Sequence, residues 1–396
     1  MYDVLLRGGT VVDPSQTLNA RLDVAVEAGR IAALAPHLEP APATRVIDVS
    51  GKLVTPGLID LHAHVFGGVS ANGVEPDLAG VHAGVTTIVD AGSAGSATFE
   101  AFPRHVLPRN HTEVLPFLHI CQTGLATNPD IIAAASIDLD ATLHVLERHK
   151  GLIRGVKARM VSPALEILGM EMPRLAKRAA REGGVPLMVH IGDTTGRYRA
   201  DVIRELLPLL EPGDIVTHLF TANPGGVVDA DGKLVPEARE LKDRGVWLDT
   251  AHGRMNFGFG VARRVLDQGL VPDCISTDLT VPGRQHTVHS MVEMLGRFLG
   301  LGFSLQQVIA MCTANPALVL GELDRLGSLA VGRQADVSVL ELREGDWLVH
   351  DTVGDSLRIS QAVVPVLTLK RGVLFEAEWG PHPWGWEPEP APTTAS

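Results

Sequence analysis

The run Thr55-Pro56-Gly57-Leu58-Ile59-Asp60-Leu61-His62-Ala63-His64 is apolar and ends on two histidines spaced two apart. Alternate residues of a strand point to the same side, so His62 and His64 face one interior at the strand's C-terminal end. Two imidazoles held that way can both bind one metal ion. Taken alone, such a pair reads more readily as two ordinary, partly buried histidines. Other runs finish in the same style. Leu187-Met188-Val189-His190, Ile215-Val216-Thr217-His218 and Ile275-Ser276-Thr277-Asp278 each place a ligand-type side chain where an apolar segment stops. With Lys157, which closes Gly155-Val156-Lys157, six such residues fall at matching depth on five runs. Unrelated core residues do not produce that pattern by accident.

Lys157 is one of only seven lysines in the chain, and a free ammonium at the end of an apolar run is costly to bury. It has no lone pair for a metal and would repel one. Reaction with CO₂ converts the amine into a carbamate whose two oxygens can bridge two metals. The alternative is an ion pair of Lys157 with Asp278 or Glu166.

These residues need elements to hold them at one depth. Apolar strand-like runs end near residues 61, 90, 120, 157, 190, 218, 249 and 277, separated by helical or loop stretches such as Pro173 to Glu182 and Tyr198 to Leu210. A repeat of about 30 residues is what a strand–helix unit requires, and eight of them close a (β/α)₈ barrel. Active sites of that fold lie at the C-terminal ends of the strands. Residues 2–7, 10–13, 22–27, 30–34 and 45–54 read instead as short strands, and residues 335–378 match them in style. The expected division is residues 1–54 and 326–380 as the two parts of a small β-sandwich, 55–325 as an α/β barrel, and 381–396 as a Pro-rich tail carrying Trp384 and Trp386, extended over the surface or partly disordered.

Composition narrows the partners. The chain has 396 residues, 45% of them hydrophobic, and a formal net charge of −12 with scattered basic residues. Phosphate neutralisation needs a basic patch, so neither nucleic acid nor an anionic membrane is an expected partner; a small-molecule substrate and a homo-oligomer are. Cys121, Cys274 and Cys312 lie far apart without Cys-x-x-Cys spacing, which excludes a thiolate zinc site and reads as core packing. The N-terminus shows no signal-peptide pattern, and a cytoplasmic location is expected.

The sequence resembles the amidohydrolase superfamily over nearly its whole length. The likeness rests on Pro56-Gly57-Leu58-Ile59-Asp60, on Thr313-Ala314-Asn315-Pro316-Ala317, and on the closing segment Gly327 to Asp336. It implies a binuclear centre of two divalent ions, expected to be zinc. His62, His64 and Asp278 would hold the more buried ion, His190 and His218 the second, and carboxylated Lys157 with a hydroxide would bridge them. Asp278 would also transfer the proton. The filled ligand set makes the non-catalytic scaffolds of the superfamily a poor match. Within it, Lys157-Ala158-Arg159, Val189 to Gly192, Thr217 to Phe220 and Asp249 to Gly253 resemble a group labelled amidohydrolase/deacetylase, and sometimes dihydroorotase. Members of that group look like hydrolases of acetyl esters of small 2-hydroxy acids, such as acetylated mandelate. Dihydroorotases commonly carry an Arg two residues after the second His, where this chain has Phe66.

The loops offer groups suited to an acidic substrate. Arg159 shares Lys157's side of its strand, and its planar fork matches a carboxylate; the alternative is a structural ion pair at the barrel rim. His252 and Arg284 are further candidates, each also readable as a solvated loop residue. Asn256 to Gly260 could form an apolar wall or simple core cover. An ester hydrolase is the expected activity, with an amide hydrolase (N-acyl amino acid deacylase, dipeptidase or cyclic amidase) as the alternative that uses the same site.

Overall fold

The computed structural model describes residues 2–42, 44–378, 380, 386–388, 390 and 391. Seven parallel strands run in sequence order around one sheet: Leu58–Ala63, Val85–Gly95, Glu113–His119, Gly155–Arg159, Leu187–His190, Ile215–Thr217 and Trp247–Asp249. The eighth run makes no extended ladder. It closes the ring through single parallel bridges, Asp249 with Cys274 on one side and Ala63 with Leu279 on the other. Asp278 N donates to His62 O at 2.6 Å and His64 N to Leu279 O at 2.9 Å, so the last run is stitched to the first at the depth of both histidines. The molecule is a (β/α)₈ barrel with a second β unit built from both chain ends.

The strands are buried along nearly their whole length, with only Glu113, Arg159 and Trp247 at their ends half-buried, because helices cover them outside and side chains fill the interior. One apolar cluster comes from successive strands, including Leu61, Val89, Phe117, Met188 and Ile215. A far larger one joins the strands to helices such as Glu171–Gly183, Phe259–Asp267 and Met291–Gly300. The expected helix from Tyr198 to Leu210 is broken into 3₁₀ and α turns over Ala200–Leu209.

The chain ends share an eight-stranded mixed sheet. Its order is Val373–Glu376, Ser356–Lys370, Val337–His350, Leu53–Pro56, Val4–Asp13, Leu18–Glu27 and Arg30–Ala35, with Arg45–Asp48 also on Val4–Asp13. Val4 and Leu6, Val24 and Val26, Val337 and Val339, and Leu367 and Leu369 alternate into one core, as the period of two demands. Two sequence readings are adjusted. Residues 2–7 and 10–13 belong to a single strand, because Gly8 at φ 78° makes a bulge and not a turn. Residues 45–54 are two strands, parted by a turn at Gly51.

Cys121, Cys274 and Cys312 are buried free thiols. No helix among the described residues is long and apolar enough to cross a membrane. Of the tail, Trp386 is buried and Pro390 bridges Trp347, whereas Trp384 lies outside the described residues.

Candidate metal centre

The imidazoles of His64, His62, His218 and His190 form a contiguous chain at the C-terminal rim of the barrel. Successive ring centroids are 5.5, 5.0 and 4.0 Å apart. Asp278 lies against the first two, its Oδ1 3.1 Å from His64 Nε2 and 3.5 Å from His62 Nε2. Lys157 Nζ is 3.2 Å from His62 Nε2 and 3.4 Å from Met188 Sδ. All six residues singled out as ligands therefore meet in one place. His62, His218 and Asp278 offer donor atoms that lie within 4.8 Å of one another.

The far side of each ring decides which nitrogen faces inward. His218 Nδ1 lies 2.6 Å from the Ala251 carbonyl, which can only accept, so Nδ1 carries the hydrogen and Nε2 keeps a lone pair. Thr217 Oγ1 donates to Asp249 Oδ2 at 2.6 Å and so accepts from His62 Nδ1 at 2.8 Å, which leaves His62 Nε2 as the free donor atom. His64 Nδ1 is matched with Ser93 Oγ at 2.8 Å. The Nε2 atoms of His190 and His218 are buried without any hydrogen-bond partner. Buried polar atoms are rarely left so, and two unpartnered imidazole nitrogens on adjacent buried rings fit a cation.

Electrostatics agree. Burial holds His62 and His190 well below the usual histidine range and His218 down at about 4, so these rings are neutral at pH 7, the form a metal requires. Burial lowers the Lys157 amine to about 7 despite the attraction of Asp278. Burial alone would raise the Asp278 carboxyl, but His64, His218 and Lys157 together outweigh it and keep the group below the usual carboxylate range.

The backbone is bent to make this arrangement. Six described non-glycine residues have positive φ, and three of them lie just past the sixth and seventh barrel strands or in the eighth run: His218 at 71°, Ala251 at 33° and Asp278 at 51°. Such strain persists where the surroundings enforce it. Gly253, at φ 56°, is required by contact: a Cβ there would stand 2.1 Å from Asp278 Oδ2.

A cleft of about 370 Å³ opens above the six residues, and His64, His190, Asp278 and Arg159 line it. Arg159 Nη1 is 3.4 Å from Asp130 Oδ2, and Asp130 also faces His119 Nε2 at 3.3 Å. Arg159 is thus both an ion-pair member and a cleft residue. His252 and Arg284 are not among the cleft's lining residues. His252 is fully buried, stacked on Phe257 at 4.5 Å, with Nδ1 on Gly253 O and Nε2 against Arg297. Arg284 has its Nε buried, and Thr280 meets the cleft in its place. Phe257 and Phe259 are core, packed with Phe220 and Phe298, while Asn256 does reach the cleft.

Sequence reasoning passed over Asp130 and Arg254. Arg254 directly follows the His-Gly pair at the end of the seventh run, a position that could have flagged it. Asp130 lies in the loop Asn128-Pro129-Asp130, where no periodicity marks it.

Comparison with known proteins places the chain. A deacetylase of Agrobacterium fabrum is 33% identical over 340 residues, covering 85% of this chain and 82% of the relative. A deacetylase of Brucella anthropi is 32% identical over 340 residues, 85% of this chain and 83% of the relative. A solved dihydroorotase structure superposes with a TM-score of 0.83 at 30% identity, over 95% of this chain and 98% of that one. A solved adenine deaminase gives a TM-score of 0.85 at 26% identity, over 95% and 100%. Residues 53–373 match the amidohydrolase family, and this chain belongs to that family of metal-dependent hydrolases.

Proposed function

We propose that this protein hydrolyses an ester of a small carboxylate-bearing acid, such as an acetylated 2-hydroxy acid, at two divalent ions, zinc in the first instance. His62, His64, Lys157, His190, His218 and Asp278 would hold them. The observation that carries this reading is the convergence of those six side chains, with the Nε2 atoms of His190 and His218 buried and unpartnered. The ions would supply the acidity that makes water a nucleophile at neutral pH and a Lewis acid for the scissile carbonyl.

The chain's own residues supply the rest. With its amine near pKa 7, about half of Lys157 is uncharged at neutral pH. An uncharged amine can attack CO₂, form the N–C bond of a carbamate and release one proton, giving an anionic ligand where an ammonium would repel metal. Asp278, with its side chain 14% exposed on the cleft, accepts the proton of the attacking water and returns it to the leaving oxygen. Arg159, its charge already matched by Asp130, offers its remaining N–H donors to the polar atoms of the substrate without setting the charge the cleft selects. The two relatives named deacetylases support removal of an acyl group.

Amide hydrolysis is the second reading, supported by the likeness to the dihydroorotase structure. Phe66 does not help it. The residue is fully buried and stacked on Phe102 at 4.4 Å, so no cation stands there. The deciding experiment is to load the protein with zinc, measure metal per chain, and assay both enantiomers of an acetylated 2-hydroxy acid beside the matched N-acetyl amino acid. Enantioselective cleavage of the ester alone is expected. Cleavage of the amide alone moves the protein to the deacylase reading, and an absence of bound metal overturns both.

A further inference from the structure

We infer that Arg254 is the specificity-determining residue that selects the substrate's charge, and that the charge selected is a single carboxylate. This rests on the hydrolase reading above and narrows it to acyl derivatives of monoacids, as against neutral compounds or diacids.

Besides Asp278, the cleft is lined by four charged side chains: Asp130, Arg159, Arg197 and Arg254. Two of the cations are already matched. Arg159 faces Asp130 at 3.4 Å, and Arg197 Nε faces Glu166 at 3.6 Å. Arg254 has no hydrogen bond or ion pair among the described residues. The matched pairs leave the cleft walls with one uncompensated positive charge. A ligand with one carboxylate balances it. A neutral ligand leaves it unmatched, and a second carboxylate has no free cation to meet.

The position is built and not incidental. Gly253 must be glycine to clear Asp278 Oδ2, so the residue that follows it is fixed relative to the proton carrier. On the other side, Asn223 Nδ2 donates to Met255 O at 2.7 Å and to Asn256 Oδ1 at 3.2 Å, which ties down the next two residues. A Cβ at Gly283 would stand 3.3 Å from Arg254 Cγ, so the glycine leaves room for the stem of the side chain. Arg254 follows the seventh strand and Arg159 ends the fourth, so the two approach the cleft from different parts of the rim. Guanidinium is less tightly hydrated than an ammonium and presents a fork that fits a carboxylate.

The test compares three esters on the zinc-loaded enzyme: an O-acetyl 2-hydroxy monoacid, its primary carboxamide, and a diacid analogue. Wild type is expected to favour the monoacid over both others in kcat/KM. Arg254→Gln should cut the monoacid-to-amide ratio by about 10-fold or more, as loss of a charge-assisted pair does, mostly through KM, and Arg254→Lys should recover part of it. An unchanged ratio in Arg254→Gln, or a ratio abolished by Arg159→Met alone, overturns the inference. If none of the esters is cleaved, the ester reading fails by itself. The charge inference is then read by calorimetry with the free 2-hydroxy acid and its amide. A drop of about 10-fold in the acid-to-amide affinity ratio in Arg254→Gln upholds it, and equal ratios in both proteins overturn it.

Discussion

Lys157 is 1% exposed, and its amine has only a histidine nitrogen and a methionine sulfur within hydrogen-bonding range. A charged ammonium gains little there, and a neutral amine is equally short of partners, so the residue contributes nothing to the fold that a methionine would not. Lys157→Met should therefore fold as well as wild type in the absence of metal, while its affinity for zinc falls by more than about 100-fold. Metal analysis after dialysis checks this, together with melting curves with and without zinc; retention of wild-type zinc and activity would remove Lys157 from the centre. Gly253 supplies a second prediction. Ala at φ 56° is strained, and its Cβ would press on Asp278 Oδ2. Gly253→Ala should lower kcat by about 10²–10⁴-fold, the range for losing a proton-transfer group. Bound zinc and the circular-dichroism spectrum then tell a displaced Asp278 from a lost fold.

The strands carry these residues to one depth, and that much was readable in the sequence. The strand ends, from Ala63 to Asp249, fall close to the ends of the apolar runs, because a barrel strand buried on both faces must be apolar until it reaches its functional rim. The inward turn of His252 was not readable. It depends on Phe257 and Arg297, and the Arg297 contact links residues 45 apart in sequence. Nor does any local pattern mark the pairing of Arg159 with Asp130, which joins a strand end to a loop. The third strand shows the same kind of long-range contact at its opposite end. Glu113 meets Arg325 at 2.8 Å and Lys370 at 2.8 Å, and Lys370 also holds Asp336 at 2.7 Å, so the barrel is pinned to the chain-end sheet. Burial alone would raise the Glu113 carboxyl, but Arg325 and Lys370 outweigh it and hold it at about 2 against an ordinary 4.5. A carboxyl depressed in the folded state stabilises fully above its unfolded pKa, and that contribution disappears as pH falls through the folded one. The window is therefore pH 4.5 down to 2, and the amount roughly 3 kcal/mol. Glu113→Gln should melt well below wild type at pH 7, with the gap closing across that window; a constant gap would show that packing and not charge is responsible.

At the scale of the whole chain, the sheet made by the two ends is connected to the cleft. Strands Val337–His350 and Ser356–Lys370 form a long hairpin rooted beside Leu53–Pro56, and its tip reaches the loop after the seventh barrel strand. There Thr352 N and Oγ1 both donate to Phe257 O, at 3.0 and 2.8 Å, and Oγ1 accepts from Phe257 N at 3.2 Å. Asp351 Oδ2 accepts from Phe259 N at 2.9 Å, at the start of the helix Phe259–Asp267, whose own N-cap residue, Gly258, has no side chain to do so. Asp351 Oδ1 takes Val353 N and Asp355 N at 2.9 and 2.8 Å, shaping the hairpin turn itself. One carboxylate thus caps a barrel helix from the other β unit and fixes the loop that presents Arg254 and Asn256 to the cleft. Asp351→Ala should cost about 1–2 kcal/mol for the lost cap and raise KM for a carboxylate substrate several-fold, with kcat much less affected, because the six residues of the proposed metal centre lie on other segments. Melting curves and steady-state kinetics on the same preparation check this. A stability loss without any change in KM would mean that the hairpin supports the fold alone, whereas a joint change would show that the chain ends help to shape the cleft.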